Sequence, residues 1–94
     1  MPQEHTAAMN HHLELVADLA TARVRAEVVA DAASGRVGGH PPATEHVQRG
    51  LREAADSARR ALEDATWVLG RARLWTQQGL DPDVAVIAAV LSER

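Results

Sequence analysis

Val84-Ala85-Val86-Ile87-Ala88-Ala89-Val90-Leu91 decides how the rest of this chain is read. The stretch is apolar without a break. It follows Asp81-Pro82-Asp83, which has the grammar of a helix start: Asp81 as N-cap, Pro82 at the first helical position, and Asp83 beside the positive helix end. A surface helix of a small protein carries one apolar stripe. A helix that is apolar all round has to be covered all round. A 94-residue chain with two other helices has little material for that. The stretch therefore predicts an obligate oligomer or a permanent protein partner, and it points to assembly rather than to a chemistry.

Composition supports this reading. Lys, Phe, Tyr and Cys are absent, so all ten basic residues are Arg, and Trp67 and Trp75 are the only aromatics. Nineteen residues are Ala. A core of Ala, Val and Leu buries little area per residue, and a chain this short is near the size at which one core becomes marginal. Without Cys there is no disulfide, no thiolate nucleophile and no Cys-ligated zinc. A net charge of −3 at pH 7 argues against a broad nucleic-acid surface. The first twelve residues are polar and lack the n- and h-regions of a signal peptide. An eight-residue apolar run is too short for a bilayer, which takes about 20 residues. The expectation is a cytoplasmic protein with no membrane partner.

The predicted fold is all-α, a single domain over residues 1–94. A long antiparallel helical hairpin carries a short apolar C-terminal helix and assembles as a helical-bundle oligomer, most simply a homodimer. Helix 1 covers about 6–33, where no Gly or Pro interrupts the helix formers Ala, Leu, Glu and Arg. At 100° per residue Glu14, Asp18, Thr21 and Arg25 form a narrow polar stripe, so the first half of this helix is expected to be buried over a wide arc. Residues 34–43 form the loop, with Gly35 suited to closing helix 1, and Pro41-Pro42 forbidding helix before Thr44 caps the next one.

Helix 2 covers about 45–78. Val47, Leu51, Ala54, Ala55, Ala58, Ala61, Leu62 and Ala65 share one face, and Arg49, Arg52, Glu53, Asp56, Arg59, Arg60, Glu63 and Asp64 the other. The pattern then changes, because Trp67 and Leu74 project from the formerly polar side. From Trp67 onward this helix needs a second neighbour. Gly79-Leu80 ends it in the manner of a Schellman turn. Helix 3 covers about 82–92.

The five histidines invite a metal reading, but no His-x-x-x-His or Glu-x-x-His pair exists. They are expected to be exposed side chains near helix ends, and no metal or cofactor is predicted. The Gly-rich stretch 35–40 does not match a phosphate-binding loop and follows no strand. Ser34, Ser57 and Ser92 sit in no nucleophile motif, so no catalytic residue is assigned. Arg71 is four residues from both Trp67 and Trp75 and can stack on either ring.

Two families offer partial likenesses. A hairpin of this size is similar to the small secreted helical-hairpin proteins marked by a Trp-x-Gly turn, though Gly38-Gly39-His40 stands at the turn here and a third helix follows. Leu15-Val16-Ala17-Asp18-Leu19-Ala20-Thr21-Ala22-Arg23 and Gly79-Leu80-Asp81-Pro82 resemble the first helix and the last turn of the AroQ-type chorismate mutases. That family needs an active-site Lys on its first helix, which this chain lacks.

The function read from the residues is a non-enzymatic interaction or regulatory module. Its partners are a second copy of itself and another protein. The interface residues are Trp67, Leu74, Trp75, Val84, Ile87, Val90 and Leu91. The alternative is a small helical enzyme or binder in which Arg23, Arg25 or Arg71 grips an anionic small molecule.

Overall fold

A computed structural model describes residues 7–35 and 41–93. The regular secondary structure of these residues is all α-helix, with no strand among them. The helices are α1 (Ala7–Ala33), α2 (Glu45–Gln77) and α3 (Pro82–Ser92). His5, Arg36 and His40 lie outside the described residues. The chain divides into two compact units. The terminal unit comprises Met1–Asp18 with Glu63–Arg94, and the middle unit is Leu19–Leu62.

The helix ends follow from local chemistry. Asp81 caps α3, its carboxylate accepting the N–H groups of Asp83 and Val84 at 2.9 and 3.4 Å, with Pro82 behind it. α2 stops in a Schellman turn: Gly79 takes φ 106°, its N–H donates to Thr76, and Leu80 N–H donates to the Trp75 carbonyl. Gly35 closes α1 with φ 81°. Thr44 precedes α2 and its hydroxyl accepts from Val47 N–H at 3.4 Å.

In the terminal unit the core is Val68 and Ala72 of α2 against Ala85, Val86 and Ala89 of α3, with Ala8, Met9 and Trp75 packed on it. Ala72, Ala85 and Ala89 have no exposed surface. Small side chains on both helices let the backbones come close, and that contact holds α3 in place.

Two polar contacts tie α1 into this unit, and neither is visible in the pattern of residues. Asp83 accepts from the N–H groups of Ala8 and Met9 at 2.9 and 3.3 Å, across 75 and 74 residues of sequence. The first turn of α1 carries no acidic residue of its own, so α3 supplies the negative charge that this helix end favours. The second contact corrects the reading of His12 as an exposed side chain. It is only 8% exposed, and its Nε2 lies 2.6 Å from the Ala65 carbonyl on α2. A carbonyl can only accept, so Nε2 carries the proton. Ala65 is small enough for an imidazole to reach the helix backbone beside it.

The wide buried arc expected for the first half of α1 is not filled by this chain. His12 is the one buried residue of α1, and Leu13 and Leu15 are exposed.

In the middle unit the half-buried residues are Leu19, Ala20, Arg23, Ala26, Glu27, Ala30, Ala32 and Ala33 on α1, and Gln48, Leu51, Ala55, Ala58 and Leu62 on α2, while Val47, Ala54 and Ala61, expected on the same face of α2, are exposed. Each helix segment thus has one inward face. The loop is pinned by Ala43 N–H donating to the Ala33 carbonyl at 2.8 Å. No described residue of this unit is fully buried.

Candidate functional site

The surface that distinguishes this molecule is apolar, and α3 supplies one dense part of it. An 11-residue helix composed almost wholly of apolar side chains cannot hide them all against one neighbour. Its inner side, Ala85, Val86 and Ala89, is taken by the core. Its outer side is left in solvent. Val84, Ile87, Val90 and Leu91 are 49%, 55%, 49% and 80% exposed. Val84, Ile87 and Leu91 stand at i, i+3 and i+7, so they form one stripe along the helix. Leu80, just before α3, is also exposed.

α2 supplies a second patch in the same unit. Trp67 is 41% exposed and Leu74 is similarly open, whereas Trp75, on the flank toward α3, packs on the core. The Arg71 guanidinium lies 5.2 Å over the centroid of the Trp67 ring, one of the two stacking options its spacing allows. Trp67, Gly70, Arg71 and Leu74 line a shallow depression of about 280 Å³. A larger open cleft of about 500 Å³ lies beside Trp75, Leu80 and Ala88. Another, of about 470 Å³, opens between Met9, Leu13 and Pro82, with Arg73 on its rim.

The cations considered for an anionic ligand have separate surroundings. In the middle unit Arg23 Nε donates to Glu27 at 3.2 Å, an i, i+4 pair with both side chains partly in solvent. Arg25 is exposed beside Thr21 and Val24. Arg71 belongs to the terminal unit and is engaged with Trp67. In the middle unit a depression of about 240 Å³ is lined by Glu27, Asp31, Arg52, Asp56 and Arg59, and Asp56 and Arg59 are paired at 3.2 Å. Among the described residues no three His, Asp or Glu side chains are grouped as a metal site would need. His11 and His46 are exposed, and His11 Nδ1 stands 4.0 Å from Glu14. No described helix is long and apolar enough to cross a membrane.

The signal that found the α3 and Trp67 patches was a mismatch between apolar residues and available cover. The buried imidazole of His12 gave no such signal, because its partner is a backbone carbonyl 53 residues away. Comparison with protein-family models, curated proteins and solved structures found no match for this chain.

Proposed function

We propose that this chain is a non-enzymatic interaction module that works as a homo-oligomer. In this reading α1 and α2 are the arms of an antiparallel hairpin, and the outer face of α3 is the principal self-association surface. One observation carries the proposal. Val84, Ile87 and Leu91 form an exposed apolar stripe on a helix whose inner face is already fully used. Large apolar side chains gathered in one solvent-facing stripe are a hallmark of association surfaces, in contrast to the scattered exposed leucines of any monomer. The thin, Ala-based core adds to the case, since a small domain of this kind gains stability by sharing apolar surface with a second copy.

Sedimentation or light scattering at micromolar concentration tests the proposal. The wild-type chain is expected at twice the monomer mass or more. Ile87→Asp introduces a charge that solvent can hydrate in the single chain but that an interface would have to bury unpaired. The variant is expected to keep its helical signal and to lose the higher mass. A wild-type chain that stays monomeric, or an Ile87→Asp variant of unchanged mass, contradicts the proposal.

A further inference from the structure

Gly70 sits in the middle of α2, on its exposed side, three residues after Trp67 and four before Leu74. A Cβ built there would meet nothing within 4 Å. Inside a helix glycine is less stable than alanine, because it has more backbone freedom to lose. Among the described residues nothing comes close enough to need a bare backbone there, and the result is a hole in the helix surface between two large side chains, lined by Trp67, Arg71 and Leu74. On α3 the matching position of the exposed stripe is filled: Ile87, 55% exposed, stands between Val84 and Leu91. Trp67 to Leu74 and Val84 to Leu91 are each seven residues, about 10 Å of helix. The Gly70 hole and Ile87 therefore have flanks of equal span.

The α3 stripe is too small to hold two copies together alone. An 11-residue helix is about 16 Å long and about 10 Å across. A stable interface buries about 800 Å² of accessible surface on each partner, more than the exposed side chains Val84, Ile87, Val90 and Leu91 of so short a helix offer. A durable contact between copies has to continue onto further apolar surface of the same unit, and the Trp67–Leu74 patch is such a surface. We infer that, in the self-association proposed above, Ile87 of one copy seats over Gly70 of another, between Trp67 and Leu74. The inference rests on the homo-oligomer reading and specifies its pairing. The occupant of the Gly70 hole is a second copy of this chain.

The test is to fill the hole. Gly70→Leu replaces a helix-destabilising residue with a helix former in a position open to solvent in the single chain, so the helical signal is expected to stay intact or rise. Self-association, read by sedimentation over a concentration series, is expected to weaken ~10-fold or more. Gly50→Leu is the control. Gly50 is also helical with nothing within 4 Å, but its neighbours one turn away include His46 and Glu53, and its substitution is expected to leave association unchanged. Combining Gly70→Leu with Ile87→Ala makes room for the new side chain and is expected to recover part of the affinity lost by either change alone. If the wild type associates and Gly70→Leu associates equally well, or if the combined variant merely adds the two losses, this pairing is overturned while self-association stands. If the wild type is monomeric throughout, both readings fall.

Discussion

In the terminal unit Ala72, Ala85 and Ala89 lose all exposure to solvent, whereas the middle unit leaves Val24, Val28, Val29 and Val47 about half exposed. The segments of α1 and α2 in both units are rich in Ala, so composition does not make the difference. A third element does. Where α3 packs on α2, small side chains from two helices interlock around Val68 and Val86, and the Asp83 and His12 contacts bind α1 to the same unit. Where only two helices face each other, alanines are too short to enclose one another, and every inward residue stays partly wet. The middle unit relies more on helix propensity and on local pairs such as Arg23–Glu27 and Arg59–Asp56, each worth tenths of a kcal/mol.

The sharpest way to break this comparison is to overfill the Ala contact. Ala89→Leu forces a larger side chain into a position with no free surface, at a cost of about 3 kcal/mol. Ala54→Leu, on the exposed side of α2 in the middle unit, is expected to change stability by less than about 0.5 kcal/mol. Thermal melts followed by circular dichroism read both. Equal effects would mean that the alanines of the terminal unit are not tightly packed.

His12→Ala is next in size. It removes the donor to the Ala65 carbonyl and opens space beside α2, for a loss of about 2 kcal/mol. Urea unfolding measures it, and a variant as stable as the wild type would place the ring in solvent. Asp83→Ala is expected to cost about 1 kcal/mol, while Asp83→Asn keeps an acceptor and recovers part of it. Faster exchange of the Ala8 and Met9 amides in Asp83→Ala would tie the loss to the cap on α1, and unchanged exchange there would sever that link. The smallest effect belongs to the middle unit. Arg23→Ala is expected to cost no more than about 0.5 kcal/mol, and less in high salt, because both partners of that pair are partly in solvent.

Much of this architecture is legible in the sequence because it is governed by neighbours along the chain. Asp81-Pro82-Asp83 starts a helix and Gly79-Leu80 ends one by chemistry confined to a few residues. The change of pattern at Trp67 and Leu74 is legible too, and both side chains are exposed. The illegible parts depend on pairs distant in sequence. The apolar run 84–91 shows that α3 needs cover but not that Ala85, Val86 and Ala89 are the side its own chain covers. Asp83 reads as a favourable charge on its own helix, and its service to Ala8 and Met9 cannot be inferred from spacing. His12 reads as polar and therefore outside, since nothing in an alanine-rich helix announces a carbonyl within reach.

Amide hydrogen exchange along the whole chain tests most directly the claim that the buried core is confined to the terminal unit. Exchange through local opening is slowest where apolar contacts are most completely buried. Residues 65–72 and 85–89 are expected to exchange slowest of all, with residues 24–33 and 45–58 well ahead of them. Equal or greater protection of residues 24–33 and 45–58 would contradict the account.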